Sequence, residues 1–274
     1  MSASLSAFPT RRHTLARLAA TVALCSTSLL PGLAVAQTAL DDITARKQIH
    51  IAIPTDFPPY GFVSTDLKPQ GLDVDMAHYI AARLGVKVEL VPVTSANRIP
   101  YLQTKKADLV ISTLGKNAER EKVIDFTAAY SPFFQAVFAA KGVAIKSAAD
   151  LAGKSVAVTR GAIEDMELTK VAPASADLKR FEDNNATVSA FVSGQVPVIA
   201  TGAAVAGNLM VRNPQLATEF KFVLKDSPNF IGVAKGEDTL RRKVNEILAQ
   251  AKASGDLDKM AVRWLGRPAG DLPQ

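Results

Sequence analysis

Apolar and polar residues follow two periods along this chain, and together the periods predict strands that alternate with amphipathic helices. The short apolar run 49–53 predicts a buried strand. In residues 74–84, apolar side chains recur at the spacing i, i+3, i+4 and i+7, which places them on one face of a helix. Gly85 ends this helix, because glycine readily adopts the left-handed conformation found there. Strands at 86–91 and 108–113 follow, with a helix over 98–105 between them.

The second half of the chain repeats this alternation. It predicts strands at 154–159, 178–181, 196–200 and 230–234, and helices at 163–170, 186–193, 203–210, 239–253 and 257–265. Such alternation is typical of an α/β protein, with parallel sheets and helices on their faces. The length allows two lobes, and the proline-containing segments 131–136 and 225–230 are candidate crossovers. We therefore predict a first lobe over 37–132, a second over 133–227, and a return to the first over 228–274. The cleft between them is the expected ligand site.

The first 36 residues have the pattern of an export signal. Three arginines precede an uncharged apolar run, and Ala34–Ala36 forms an Ala-x-Ala cleavage site. The run is about a dozen residues, too short to span a bilayer comfortably. We expect segment 1–36 to direct the chain to the periplasm and to be removed. The general and twin-arginine export routes both stay open, as does lipidation of Cys25.

Removal of this segment changes what the charge implies. The full chain has 32 Lys and Arg against 26 Asp and Glu, a net charge of +6. Residues 1–36 hold three of the arginines and no acidic residue, so the remaining 238 residues carry 29 basic and 26 acidic side chains, a net charge of +3. The basic side chains are scattered, so no nucleic acid partner is expected. The single cysteine leaves with the signal, which excludes an internal disulfide and a cysteine zinc site.

Sequence motifs for catalysis are missing from this chain. No phosphate-binding G-x-x-x-x-G-K-[ST], no G-x-G-x-x-G after a strand and no nucleophile motif G-x-S-x-G is present. His50 falls in a predicted strand and His78 in a predicted helix, and neither has an evident partner. We therefore expect no catalytic residue, no metal, no cofactor and no enzymatic activity.

The run Gly71–Leu84 carries the strongest functional signal. Asp73 and Asp75 lie at the start of the predicted helix, where carboxylates satisfy free N–H groups, and we expect them to cap it. As a pattern, the run resembles the signature of family 3 extracytoplasmic solute-binding proteins, the polar amino acid receptors of bacterial ABC importers. Further segments resemble this family in the same order along the chain: 54–62, 94–103, 108–120, 254–260 and 264–266.

The resemblance implies a fold, a function and a partner. The implied fold is the two-lobed periplasmic binding protein fold of type II, in which two hinge strands join mainly parallel sheets flanked by helices. The implied function is to bind a small polar solute, an amino acid or a related carboxylate, by hinge closure. The protein would deliver this solute to the membrane permease of an ABC transporter, and we expect it to be a monomer. Two alternatives stay open: a cyclohexadienyl or arogenate dehydratase-like enzyme on the same fold, and a soluble ligand sensor.

The resemblance also implies a set of ligand-binding residues. They are Asp56, Tyr60, Phe62, Arg98, Thr113, Gly115, Arg120, Gly161, Ala162, Ile163 and Glu164. Arg120 would bind a ligand carboxylate by a charge-assisted pair. Thr113 and Gly115 would contact the ligand through backbone groups at a strand end. The N–H groups of residues 161–163 would receive an anion at the start of a helix.

The remaining positions would set specificity. Asp56, Tyr60 and Phe62 would line the pocket around the ligand side chain, although both aromatic residues suit an ordinary core equally well. Arg98 would meet an acidic side chain of the ligand, or else form a surface ion pair, and Glu164 would tune specificity.

Gly202 departs from the family pattern, which has at that position an aspartate for the ligand's ammonium group. Asp56, Glu164 or Asp165 could supply the carboxylate instead. A carboxylate ligand without the usual amine, or with a differently placed amine, is the other alternative.

Overall fold

The computed structural model describes residues 38–273 of the chain. The predicted signal segment and Cys25 lie outside the described residues. The strands are β1 Gln48–Ile53, β2 Asp56–Phe57, β3 Gly61–Val63, β4 Pro69–Gln70, β5 Lys87–Pro92, β6 Leu109–Gly115, β7 Ile124–Ser131, β8 Phe134–Ala140, β9 Ser155–Thr159, β10 Asp177–Phe181, β11 Val198–Gly202, β12 Thr218–Asp226 and β13 Asn229–Ala234. The helices are α1 Ala39–Arg46, α2 Leu72–Leu84, α3 Arg98–Gln103, α4 Ala118–Glu121, α5 Ile163–Val171, α6 Asn184–Val192, α7 Ala203–Arg212, α8 Asp238–Ala253 and α9 Asp256–Leu265.

The first sheet has five strands in the order β5-β1-β6-β13-β7. Strand β13 runs against its neighbours β6 and β7, and the other four strands share one direction. Every residue of the central strand β6 is buried, which explains its continuous apolar sequence. Helices α1, α2, α8 and α9 contribute buried side chains to the same core, so these helices fix the sheet's position.

The second sheet repeats this design with the order β10-β9-β11-β8-β12. Here β8 is the strand that runs against its neighbours. One core packs beneath α6 and α7 and another beneath α5, so both faces of the sheet are covered. The fold is thus α/β, with two mainly parallel sheets flanked by helices, as the alternation of elements predicts.

The chain passes between the sheets twice, through links that contain Pro132 and Pro228. Strand β7 ends at Ser131 and β8 begins at Phe134, so only residues 132 and 133 link them. The crossover is therefore shorter than the predicted segment 131–136. The sequence patterns miss β7, β8 and β12. Strand β8 is a nearly continuous apolar run without period-2 alternation, and β12 pairs through two register shifts that break its alternation.

A small three-stranded sheet of β2, β3 and β4 lies in the connection between β1 and α2. It places Phe57 and Tyr60 in the core of the first lobe. Among residues 38–273, no helix is long and apolar enough to cross a membrane. In the same part of the chain, no group of three or more His, Cys, Asp or Glu side chains could hold a metal ion.

Candidate functional site

A polar cavity lies between the two sheets, where residues after several strands come together. Its wall consists of Phe57, Ser95, Arg98, Thr113, Phe133, Gln135, Thr159, Ala162, Ile163, Glu164, Asn184, Ala200 and Thr201. Its free volume of about 10 Å³ leaves room for about one water molecule. A ligand the size of an amino acid therefore requires the lobes or their side chains to move apart.

Arg98 is the cation on the cavity wall. It begins helix α3 and is 4% exposed, with Nε donating to Ser112 Oγ (3.2 Å) and Nη2 donating to Thr113 Oγ1 (3.5 Å). Burial lowers the pKa of Arg98, while Glu164 and Asp73 oppose this shift. An arginine stays protonated in a protein, so the cavity contains a buried positive charge.

Asp73 lies behind this cation and is fully buried. Its Oδ2 accepts a hydrogen bond from the backbone N–H of Thr113 (2.9 Å), and its Oδ1 accepts one from the hydroxyl of Tyr130 (2.6 Å). Thr113 has φ of 43°, a left-handed conformation that is unfavourable for threonine, so this hydrogen bond helps to hold the strand end in place. Burial raises the pKa of Asp73 to about 6.

The prediction that Asp73 and Asp75 cap helix α2 is wrong. The cap residue is Gly71, and no side chain makes a capping hydrogen bond there. Asp75 instead accepts hydrogen bonds from Trp264 Nε1 (2.7 Å) and Arg263 Nη1 (3.2 Å), which attach α2 to α9. Both carboxylates act through distant partners, which helix-start composition cannot reveal.

Arg120 bridges the two lobes. Its Nη1 donates to the carbonyl oxygen of Gly115 (2.7 Å) in the first lobe, and its Nη2 donates to the carbonyl oxygen of Gly161 (2.9 Å) in the second. The side chain lines an opening beside the cavity rather than the cavity itself. Burial, and after it the repulsion by Arg98, lowers the pKa of Arg120 to about 9.

The turn before α5 presents fewer free donors than the sequence suggests. The N–H of Gly161 donates to Asp165 Oδ2 (3.0 Å), and the N–H of Ala162 donates to the carbonyl of Thr159 (3.1 Å). Two of the three N–H groups expected to receive an anion are therefore occupied. The side chain of Ile163 packs on Gly115, where an added Cβ would lie 2.7 Å from Ile163 Cγ1. This contact explains why position 115 has no side chain.

Glu164 is the carboxylate on the cavity wall, at the start of α5 in the second lobe. It is 5% exposed. Burial raises its pKa to about 6, although its own backbone N–H and the nearby Arg98 and Arg120 act in the opposite direction. The cavity thus contains one buried cation from the first lobe and one buried carboxylate from the second.

Asp56 connects the lobes at another point. Its Oδ2 accepts from the backbone N–H of Asn184 (2.7 Å), and its Oδ1 accepts from the side-chain amide of Asn184 (2.9 Å). A first-lobe carboxylate therefore binds the N-terminus of helix α6 in the second lobe, where it complements the helix dipole. Asp56 borders a groove outside the cavity, so it is placed as a contact between lobes.

The structure brings neither Tyr60 nor Phe62 to the cavity wall. Tyr60 is 1% exposed and lies in the core, where it stacks on Phe57 (ring centroids 6.1 Å apart) and meets Phe133 edge-on (5.2 Å). Phe62 packs edge-on against Trp264 at 6.0 Å. The cavity aromatics are instead Phe57 and Phe133, which only the packing of the small sheet and the first link reveals.

Gly202 lies under the ring of Phe133. A Cβ added at Gly202 would be 2.2 Å from Phe133 Cζ, so the ring fills the space that a side chain at this position needs. Gln135 pairs with Gly202 across the strands, and its Oε1 is buried without a hydrogen-bond partner among the described residues, as is Ser95 Oγ. Two polar groups on the cavity wall are therefore available to a polar ligand.

Several wall residues are not among those predicted from the sequence, for example Thr159, Asn184 and Thr201. Thr159 ends β9, and Thr201 is the next-to-last residue of β11. The rule that open α/β sheets bind ligands at the carboxyl ends of their strands could have found both residues. Nothing in the local sequence marks Asn184.

Comparisons with known proteins extend over both sheets. A family model described as "Bacterial extracellular solute-binding proteins, family 3" matches residues 49–267. The chain is 28% identical over 252 residues to the ABC transporter glutamine-binding protein GlnH of Bacillus subtilis (strain 168), which covers 89% of this chain and 92% of that protein. An ancestral arginine-binding protein bound to arginine is 35% identical, with a TM-score of 0.76 over 81% of this chain and 99% of the other. The ancestral amino acid-binding protein AncCDT-1, a precursor of cyclohexadienyl dehydratase, is 31% identical, with a TM-score of 0.74 over 83% of this chain and 99% of the other.

Proposed function

Because the chain belongs to the bacterial extracellular solute-binding proteins of family 3, we propose that it captures a small carboxylate-bearing solute and delivers it to the permease of an ABC importer. Its two-lobed α/β fold is that of periplasmic amino acid-binding proteins. The observation that carries the proposal is Arg98, a buried cation on the wall of a cavity between the lobes.

Arg98 supplies the charge that a ligand carboxylate needs. Among the described residues, its guanidinium donates to the hydroxyls of Ser112 and Thr113. These neutral acceptors leave the positive charge to be compensated across space by Glu164 and Asp73. A ligand carboxylate would form charge-assisted hydrogen bonds there, and these are stronger than hydrogen bonds between neutral groups.

Contacts between the lobes support hinge closure as the binding mechanism. Arg120 joins the carbonyls of Gly115 and Gly161, and Asp56 binds the start of α6. These bonds require the two lobes to be in contact. A ligand that touches both lobes would add to them and shift the population toward the closed form. The two links with Pro132 and Pro228 are the connections about which the lobes can rotate.

The relatives support an amino acid or a related carboxylate as the solute. GlnH is a glutamine-binding protein, and the ancestral structure contains arginine. The family is extracytoplasmic, and we propose that residues 1–36 direct this chain to the periplasm, where it acts as a monomer.

We further propose that the protein binds its solute without converting it. Two observations favour the alternative, an enzyme. The structural neighbours include AncCDT-1, a precursor of a dehydratase, and Glu164 is a buried acid in the cavity. A raised carboxyl pKa is a property of general acids as well as of binding sites. Incubation of the purified protein with prephenate or arogenate is expected to give no product. Measurable turnover would contradict this proposal and show that the protein is an enzyme.

A thermal unfolding screen tests the binding function. The mature protein is scanned with the twenty L-amino acids and with small carboxylates, because a ligand that binds the folded state raises the melting temperature. At 100 times its Kd, a ligand adds about 2.7 kcal/mol, which corresponds to a shift of roughly 5–10 °C. We expect Arg98→Gln to abolish the shift and Arg242→Gln, an exposed arginine on α8, to retain it. A screen in which no carboxylate shifts the wild-type protein contradicts the proposal.

A further inference from the structure

The cleft has no aspartate at position 202, where the family pattern has one for the ligand's amine. The structure leaves no space for a side chain at this position. Position 202 is glycine, and the Phe133 ring lies 2.2 Å from where its Cβ would be. An amine placed there would face an aromatic ring and the neutral amide of Gln135 rather than a carboxylate. Any cationic group of the ligand needs another partner, because a buried unpaired charge is strongly unfavourable.

Two of the three alternative carboxylates are already engaged. Asp56 accepts hydrogen bonds from both nitrogens of Asn184. Asp165 accepts from Arg180 Nε (2.7 Å) and from the N–H of Gly161 (3.0 Å). Neither residue lines the cavity.

Glu164 differs from both, because it lines the cavity and is 5% exposed. No hydrogen bond joins its carboxylate to another side chain in the part of the chain that the structure describes. The charged groups around it are Arg98 from α3, Arg120 from α4 and Asp165 from its own helix. It therefore stands opposite the carboxylate-binding cation, on the other lobe.

The buried charges around the cleft also balance. Asp165 is buried there too, but it pairs with Arg180. Apart from that pair, Arg98 and Arg120 carry two positive charges, and Asp73 and Glu164 carry two negative charges when ionised. A zwitterion enters such a site without changing its net charge. A ligand with a carboxylate alone leaves an excess negative charge, because Glu164 then has no cation from the ligand to face.

We infer that Glu164 receives the cationic group of the ligand, an amine or a guanidinium, in place of the carboxylate missing at position 202. The ligand class is thus a zwitterionic amino acid whose carboxylate meets Arg98 of one lobe and whose cation meets Glu164 of the other. This inference rests on the proposed function, since it requires a ligand that bridges the lobes.

Matched pairs of ligands test the inference by titration calorimetry. Each of the twenty L-amino acids and 4-aminobutyrate is compared with the carboxylic acid in which every amine or guanidinium is replaced by hydrogen. At pH 7.5 the wild-type protein is expected to prefer the zwitterion in at least one pair by at least about 30-fold, as expected for a buried charge pair. Glu164→Gln is expected to lose this preference, while binding of the matched carboxylic acid stays the same or improves.

Glu167→Gln is the matched control, because Glu167 lies on the same helix, does not line the cavity and pairs with Lys170 (3.0 Å). It is expected to keep the wild-type preference. In the wild-type protein alone, the preference is expected to fall as the pH is lowered from 7.5 to 5, because Glu164 becomes protonated. This measurement remains decisive if Glu164→Gln fails to fold.

The outcomes separate the two proposals. If the carboxylic acids bind the wild-type protein as tightly as the zwitterions, the proposed function stands and the role of Glu164 is refuted. A preference that survives Glu164→Gln, or that does not change with pH, refutes it as well. If no member of any pair binds the wild-type protein, the proposed function fails and the inference fails with it.

Discussion

Replacing Asp73 with asparagine is expected to raise the free energy of unfolding above that of the wild type, and to do so more at neutral pH than at acid pH. Asp73 is fully buried, and burial raises its pKa from 3.8 to about 6. The folded protein therefore holds a proton between about pH 4 and 6 that the unfolded chain has released. Stability from this group is complete below pH 4 and is lost as the pH rises through 6.

The magnitude follows from the size of the pKa change. A difference of about two pH units corresponds to about 3 kcal/mol of unfolding free energy. Asparagine retains an acceptor for the N–H of Thr113, and its amide can donate to the hydroxyl of Tyr130, so both hydrogen bonds have a replacement. The variant lacks the buried charge, and the difference between variant and wild type isolates Asp73 from the other carboxylates.

Urea unfolding at several pH values from 4 to 7.5 measures this difference. Trp264 is the single tryptophan of the sequence, and its indole hydrogen bond to Asp75 ties α9 to the helix that contains Asp73, so its fluorescence reports on the same lobe. The free energy of the variant minus that of the wild type should rise by about 3 kcal/mol between pH 4 and 7.5. A difference that stays constant across this range would refute the reasoning. Glu246→Gln, which replaces an exposed carboxylate on α8 of the same lobe, serves as the control.

Three further changes test the contacts between and within the lobes. Arg120→Ala removes two hydrogen bonds that a charged group donates to backbone carbonyls of the two lobes, and it is expected to weaken ligand binding by about 2 kcal/mol in calorimetry; unchanged affinity would show that this bridge does not favour the closed form. Asp56→Ala removes the acceptor for Asn184 and is expected to weaken binding by about 1 kcal/mol, with a more open form in X-ray scattering, whereas an unaltered scattering curve and affinity would count against a contact that favours closure. Gly202→Ala places a methyl group against Phe133 and is expected to cost about 1–3 kcal/mol of stability, which Phe133→Leu in the same chain should partly restore; a variant as stable as the wild type would show that the ring can move away freely.

The buried acids also set the conditions in which these measurements are informative. The pKa values of Asp73 and Glu164 are both raised to about 6 by burial, so the net charge of the cleft changes between pH 5 and 7. Glu164 lies on the cavity wall, whereas Asp73 lies behind Thr113. Ligand binding should therefore depend on pH chiefly through Glu164, and the stability of the first lobe chiefly through Asp73.

The order and approximate bounds of most elements can be predicted from the sequence. The helix predicted over 239–253 spans Asp238–Ala253, and the strand predicted over 108–113 spans Leu109–Gly115. These predictions succeed because the period of the apolar side chains depends on residues within one element. Strand β8 cannot be predicted in this way, because its apolar run has no period and its partners β11 and β12 lie far along the chain.

The candidate site could be predicted only in part. The sequence by itself determined that strands alternate with helices in two α/β lobes, and its resemblance to the family placed Arg98 and Glu164 among the ligand-binding residues. Only the tertiary structure decided that Arg98 faces the cavity, that Arg120 bridges backbone carbonyls, and that Phe133 covers Gly202. The physical reason is that an element's pattern encodes which of its faces is buried, whereas the partner of a buried charge depends on the order of strands and on the contact between lobes.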